Sequence, residues 1–185
     1  TFNVGGDFTL SNGIFQVADN NNNINVVTVT GNTTISSTGT KGIMLSTGSG
    51  DANTLGTFQT TDFTANGTSS RMINFGNQGT GHQFRIDGNF SKSGTGTFYT
   101  TSTALVGSFV FNKAGTQTFS YSGATSQYTS YIVNSGSTLQ MLSLLTLGTA
   151  TNPLSSFTVN NGGTLDMGAT VITGANNTDP QFTLA

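Results

Sequence analysis

Apolar residues recur along this chain in pairs with one residue between them, and the pairs recur at a nearly constant distance. Successive pairs begin 25, 31, 26, 25, 22, 26 and 25 residues apart. The pairs, one of which has Thr in its second place, are Phe2/Val4, Val27/Val29, Phe58/Thr60, Phe84/Ile86, Phe109/Phe111, Tyr131/Val133, Phe157/Val159 and Phe182/Leu184. A fixed period of this size predicts stacked structural repeats.

Two kinds of turn follow the pairs. In the first half of the chain, turns rich in Gly, Asp and Asn lead into a second strand, as in FNVGGDFTL from Phe2 and FRIDGNFS from Phe84. In the second half, an Asn comes three residues after the start of the pair and a Thr comes seven after it. These residues are Asn112, Asn134 and Asn160, and Thr116, Thr138 and Thr164. Matching offsets in three successive copies indicate matching places in a repeated fold.

The pattern predicts an all-β chain that forms a right-handed parallel β-helix, or β-solenoid, of about seven coils with roughly 25 residues per coil. Side chains alternate between the two faces of a strand, so the members of each pair point inward and the residue between them points outward. Successive coils then lie parallel at about 4.8 Å. The six-residue period typical of left-handed β-helices is missing, and parallel crossovers prefer the right-handed sense.

Stacking of the coils predicts lines of equivalent residues. The inward aromatic line is Phe2, Val27, Phe58, Phe84, Phe109, Tyr131, Phe157 and Phe182. The outward row beside it is Asn3, Thr28, Gln59, Arg85, Val110, Ile132, Thr158 and Thr183. Asn112, Asn134 and Asn160 are expected to form an amide ladder at a turn with left-handed backbone. Extra length is expected in a loop, KGIMLSTGSGDANTLG from Lys41, and in a polar turn over Asn20 to Asn23.

Composition agrees with a β-fold and excludes several functions. Thr, Ser, Asn and Gly make up 100 of the 185 residues, and charged residues only 6%. A net charge of −2 gives no basic surface for nucleic acid or anionic lipid. The apolar run Met141 to Leu147 is shorter than the roughly 20 residues of a membrane span, so no membrane insertion is expected. The chain has no Cys and therefore no disulfides or thiol chemistry.

The ionisable residues His82, Arg85, Asp87 and Lys92 lie close together in sequence. In pectate-lyase-like β-helices, basic residues on an outer face abstract a proton and acidic residues hold calcium. Asp87, however, occupies the turn position that Gly5 fills in the first coil. We therefore interpret the group as a solvated surface patch and predict no catalytic residue.

No cofactor or metal site is predicted either. Asp7, Asp62 and Asp166 belong to repeated turn or strand positions, and Asn32 and Asn89 take the place of Asp7 in their coils. Exchange of Asp with Asn indicates turn chemistry rather than a pair of catalytic carboxylates. A single His cannot build a zinc site. Ice binding through outward Thr rows has weak support, because the outward row has Thr at only three of eight places.

The phrases VNSGSTLQM, VNNGGTLDM and GNFSKSGTGTF resemble those of the very large β-solenoid surface proteins of Bacteroidota, and more loosely those of autotransporter passengers and haemagglutinin-type adhesins. The resemblance implies export to the cell surface, commonly through the type 9 secretion system, and a role as an adhesin, a gliding-motility adhesin or an adhesin stalk. That family offers no catalytic motif to carry over.

Residues 1–185 are expected to be a single solenoid segment of a much longer chain, because the last repeat stops after FTLA. The first functional hypothesis is a non-catalytic structural or adhesive rod in an extracellular, cell-surface protein. Its expected partners are the rest of its own chain and, as further candidates, surface glycans or the secretion machinery. The alternatives are a polysaccharide lyase or glycosidase on the same fold, and a carbohydrate- or ice-binding solenoid.

Overall fold

The computed structural model describes residues 1–19, 24–46, 55–76, 81–99, 107–123, 129–147, 155–174 and 180–184. In these ranges the chain forms short strands and no helix. The strands are β1 (Phe2–Val4), β2 (Phe8–Leu10), β3 (Phe15–Ala18), β4 (Ile24–Val29), β5 (Thr33–Ile35), β6 (Ile43–Ser46), β7 (Leu55–Thr60), β8 (Phe63–Ala65), β9 (Ile73–Asn74), β10 (His82–Ile86), β11 (Phe90–Lys92), β12 (Phe98–Tyr99), β13 (Gly107–Phe111), β14 (Gly115–Tyr121), β15 (Thr129–Val133), β16 (Ser137–Met141), β17 (Leu145–Leu147), β18 (Ser155–Val159), β19 (Thr164–Asp166), β20 (Ile172–Gly174) and β21 (Pro180–Leu184).

The strands assemble into parallel sheets that run along the stack. The first sheet has the order β1-β4-β7-β10-β13-β15-β18-β21, and the second has the order β2-β5-β8-β11-β14-β16-β19. The third sheet is β3-β6-β9-β12, and the fourth is the pair β17-β20. We number the coils 1 to 7 by their first strands, which are β1, β4, β7, β10, β13, β15 and β18.

This arrangement confirms the predicted all-β parallel β-helix. The coil count is slightly lower than predicted if only coils with a strand on all three faces are counted. Coil 5 has no third strand among the described residues. The right-handed sense stays a prediction. The expected turn at Asn20 to Asn23 lies outside the described residues, as do residues 47–54 of the predicted long loop. The beginning of that loop was wrongly assigned: Ile43–Ser46 form β6, because Ile43 pairs with both Phe15 and Ile73 in the third sheet.

The predicted inward line of the first sheet is confirmed residue by residue. Each of its members pairs in register with the next, from Phe2 with Val27 to Phe157 with Phe182. The outward row from Asn3 to Thr183 is in register by the same pairings. Phe2 and Phe182 keep the register but are 58% and 49% exposed, since they belong to the outermost strands of the sheet.

Aromatic rings of the inward line stack from coil to coil. The ring centres of Phe58 and Phe84 are 5.0 Å apart, and those of Phe109 and Tyr131 are 5.7 Å apart. Phe157 continues the stack 6.0 Å from Tyr131. Each such pair contributes about 0.5–1.5 kcal/mol beyond the burial of its area, so the line favours one register along the whole stack.

Two inward lines of the second sheet complete the core opposite the first sheet. One contains Phe8, Thr33, Phe63, Phe90, Phe119 and Met141. The other contains Leu10, Ile35, Ala65, Lys92 and Tyr121. Both lines follow from the alternation of side chains in strands of three or more residues. They also place the Thr33 hydroxyl and the Lys92 amine inside the solenoid.

The predicted Asn ladder is confirmed. Asn134 Nδ2 donates to Asn112 Oδ1 at 2.9 Å, and Asn160 Nδ2 donates to Asn134 Oδ1 at 3.0 Å. The left-handed backbone lies two residues further along, at Gly136 (φ 79°) and Gly162 (φ 80°). Glycine adopts this conformation without the steric cost that a Cβ would add, which is why it takes the left-handed place.

Candidate functional site

His82 belongs to the interior rather than to a surface patch. It begins β10 on the same side as Phe84 and is fully buried. Its Nδ1 accepts a hydrogen bond from the Gly56 backbone N–H at 3.0 Å. In the next coil it pairs with Gly107, where an added Cβ would lie 2.1 Å from the Phe75 ring. The imidazole therefore occupies an inward position between two coils that have glycine there.

Lys92 also points inward, at the end of β11 between Ala65 and Tyr121. It is 1% exposed. Its Nζ donates to the Ser122 carbonyl oxygen at 3.0 Å and lies 4.7 Å from the centre of the Tyr121 ring. Burial lowers the pKa of Lys92 from its usual 10.5 to about 8, because the charged form loses its hydration.

Arg85 and Asp87 lie on the outer side of the first sheet and at the turn that follows it. Gln59 Nε2 donates to Asp87 Oδ2 at 2.6 Å. Arg85 pairs in register with Gln59 and Val110. Arg85 Nε and Asp87 Oδ1 are buried atoms without a hydrogen-bond partner in the described part of the chain.

The prediction of a solvated patch is therefore wrong for His82 and Lys92, which are core residues of different sheets. At this place Gln59 pairs in register with Arg85 and donates to the Asp87 carboxylate. His82 points inward and Arg85 outward because they lie three residues apart on β10. Lys92 points inward because it lies two residues after the buried Phe90 on β11. The four side chains do not converge on one surface.

The aspartates of the first half serve the turns, as the sequence predicted. Asp7 Oδ1 accepts the Asn32 backbone N–H at 2.8 Å, and Asp62 Oδ1 accepts the Asn89 backbone N–H at 2.6 Å. Asn32 Oδ1 accepts the Asp62 N–H at 3.3 Å. Within the described ranges no group of three or more His, Cys, Asp or Glu side chains could hold a metal ion.

The outer face of the second sheet carries two polar rows that the sequence analysis did not identify. The first row is Thr9, Thr34, Thr64, Ser91 and Ser120, paired in register. The second lies two residues further along the chain, just past the end of each strand, and is Ser11, Ser36, Asn66, Ser93 and Ser122. Strand geometry spaces the rungs of each row by about 4.8 Å and the two rows by about 6.6 Å. The motifs FTLS, TTIS, FTAN, FSKS and FSYS carried this signal.

The first row becomes apolar in coil 6, where Leu142 follows Ser120 in register, and Leu144 lies two residues further along the chain. Both leucines are more than half exposed, as is Val171 in coil 7. Beside them lies a groove of about 360 Å³ between coils 5 and 6. Its lining residues are Tyr121, Ser122, Gly123, Ser143, Leu144 and Thr146. The sequence signal for this site was the change from Ser to Leu in the run MLSLL.

Comparison of the chain with protein-family models, curated proteins and solved structures gives no match. In the described ranges, no helix has the length and apolar character needed to cross a lipid bilayer.

Proposed function

We propose that this chain is a rigid structural segment of an extracellular surface protein, which acts as a rod or spacer and adds weak, multivalent contacts along its faces. The observation that carries the proposal is the unbroken register of the first sheet through all its strands. Because each coil contacts its neighbours through the same rungs, the stack is stiff along its axis.

Several features support a role without catalysis. His82 and Lys92 bind backbone atoms inside the solenoid, and Arg85 lies on the opposite side of the same strand as His82. General acid–base chemistry needs a positioned pair of groups within reach of one substrate atom. The resemblance to Bacteroidota surface proteins supports the cell-surface location and the adhesive role, with the type 9 secretion system as the proposed export route.

Removal of one whole coil tests the rod proposal. Deletion of residues 131–156 would bring Phe157 next to Phe109 and Asn160 next to Asn112, so that the remaining strands of the first two sheets keep equivalent partners. The variant is expected to stay folded, and its maximum dimension in small-angle X-ray scattering should fall by about 4.8 Å. Deletion of residues 131–143, about half a coil, is the control and should abolish cooperative unfolding. A full-coil deletion that does not fold contradicts the rod proposal.

The outer face of the second sheet favours a second candidate function, binding to an ordered hydroxylated surface such as a polysaccharide or ice. Its two rows are uncharged and regularly spaced, and hydroxyls both donate and accept hydrogen bonds. Thr64→Lys would interrupt the first row at its centre. Retention on insoluble polysaccharide, or inhibition of ice growth, should then fall, whereas Thr158→Lys on the first sheet should have no effect. Equal behaviour of the two variants contradicts this candidate.

A further inference from the structure

The groove between coils 5 and 6 has the size of a small-ligand site. Its volume of about 360 Å³ lies within the range of roughly 300–1,000 Å³ that is common for such sites. Tyr121, Ser122 and Gly123 form one side, and Ser143, Leu144 and Thr146 form the other. No charged side chain is among these residues.

The lining combines an apolar surface with hydroxyl groups. Leu144 is 52% exposed and presents its side chain to solvent. Ser143 Oγ accepts the Tyr121 backbone N–H at 2.6 Å and keeps its own hydrogen free to donate. Ser122 Oγ donates to the Lys92 carbonyl oxygen at 3.3 Å and can still accept. This combination suits a sugar, which offers apolar C–H groups on one face and hydroxyls at its edge.

The ammonium group of Lys92 lies next to the backbone of Ser122 and Gly123, on the inner side of the groove. Lys92 Nζ donates a hydrogen bond to the carbonyl oxygen of Ser122. A Cβ added to Gly123 would lie 3.2 Å from Lys92 Nζ. No carboxylate in the described part of the chain pairs with this ammonium. A buried charge without a counter-charge is costly, so an anion bound nearby gains from an interaction that water screens only weakly.

We propose that the groove binds a small sugar that carries a carboxylate, with Lys92 supplying the attraction for the anion and the hydroxyls of Ser122, Ser143 and Thr146 binding the ring substituents. This site goes beyond the rod function, and neither depends on the other. The pKa of Lys92, about 8, leaves the amine mostly protonated at pH 6.5, where the binding test is set.

The test compares two sugars that differ only by the carboxylate. Binding of glucuronate and of glucose to the intact protein is measured by calorimetry or NMR titration at pH 6.5. Glucuronate should bind at least about tenfold more tightly, which corresponds to about 1.4 kcal/mol. Lys92→Met should remove this preference because it keeps most of the side-chain volume and loses the charge.

Two further variants keep the test independent of the fold of the Lys92 variant. Thr146→Glu places a carboxylate in the groove and should reduce glucuronate binding at least tenfold. Thr173→Glu is the matched control, since Thr173 pairs with Thr146 and shares its hydroxyl contact of 3.2 Å but lies outside the groove. Absence of binding, equal binding of both sugars, or equal loss in both Glu variants would overturn the proposal. Rod length is measured without sugar, so it is unaffected by any of these results.

Discussion

The two halves of the solenoid join their coils at the turns by different chemistry. In coils 1 to 4, a side-chain oxygen of Asp or Asn accepts a backbone N–H of the next coil, as Asp62 does from Asn89. In coils 5 to 7, the amide of one Asn donates to the amide oxygen of another, as Asn134 does to Asn112. The first ladder uses only an acceptor, whereas the second uses both a donor and an acceptor. The first therefore tolerates Asp and Asn equally, and the second requires Asn.

Lys92 lies at the junction of these two halves, and its buried charge should give the largest effect. Its pKa is about 8 in the folded protein and near 10.5 when unfolded, so the unfolded chain binds more protons between these values. The free energy of unfolding should therefore rise as pH increases from about 8 to about 10.5, by roughly 2–3 kcal/mol.

Chemical denaturation over this pH range measures the effect. Lys92→Met should lack the rise and should be more stable than the wild type at pH 7. The Tyr121 phenol is an ionisable group in contact with Lys92. Tyr121→Phe therefore serves as the control and should keep the rise. A wild-type protein whose stability does not increase above pH 8 contradicts the assignment of a buried, charged Lys92.

Asn134→Asp should break the second ladder at its centre. A carboxylate cannot donate to Asn112 Oδ1, and two sets of lone pairs would then face each other. We expect a loss of about 1–2 kcal/mol at pH 7, measured by thermal or urea unfolding. Asn134→Ala should cost less than Asn134→Asp, because it removes the bonds without adding a charge. The opposite order would contradict the donor role of the Asn134 amide.

Thr33→Val should make the core of the first half more like that of the second. Thr33 stands in the inward line that Phe and Met otherwise fill, and its Oγ1 is buried without a hydrogen-bond partner in the described residues. Removing an unsatisfied hydroxyl should stabilise the fold by about 1 kcal/mol. Thr34→Val, one residue away on the outer face, should change stability by less than about 0.5 kcal/mol. Equal effects at both positions would indicate that burial is not the cause.

Asp62→Asn should give the smallest change. Its Oδ1 accepts the Asn89 N–H, and an amide oxygen can accept the same bond. The expected change in the free energy of unfolding is below about 0.5 kcal/mol, as for ordinary surface substitutions. A loss as large as that of Asn134→Asp would show that the two ladders do not differ in the way proposed.

The sequence predicted the parts of this molecule that repeat. Phe58, Phe84 and Phe109 recur at spacings of 26 and 25 residues, and a nearly constant spacing around a coil becomes a straight line of contacts in space. The Asn ladder was predictable for the same reason. His82 and Lys92 lie two residues from Phe84 and Phe90, and strict alternation would have placed both inside. Charge and polarity favour exposure, but at these two positions the alternation of the strand decides the side.

Features that depend on how different coils fit together were harder to predict. The groove forms between two coils, with Ser122 on one side and Leu144 on the other, so no single repeat contains it. The polar rows of the second sheet lie outside the apolar pairs on which the repeat pattern is based. Thr9 and Thr34 lie in the second strands, where the same alternation applies.

The difference between the two ladders also decides which coils are sensitive to slow deamidation of asparagine. Asparagine is among the thermally labile residues, since its side chain slowly loses ammonia and becomes aspartate. The first ladder already contains aspartate at Asp7 and Asp62, so this reaction would leave its hydrogen bonds in place. At Asn134 or Asn160 the same reaction removes the donor on which the second ladder depends. In a protein that is not renewed by synthesis, deamidation would therefore weaken the hydrogen bonds between coils 5 to 7 first.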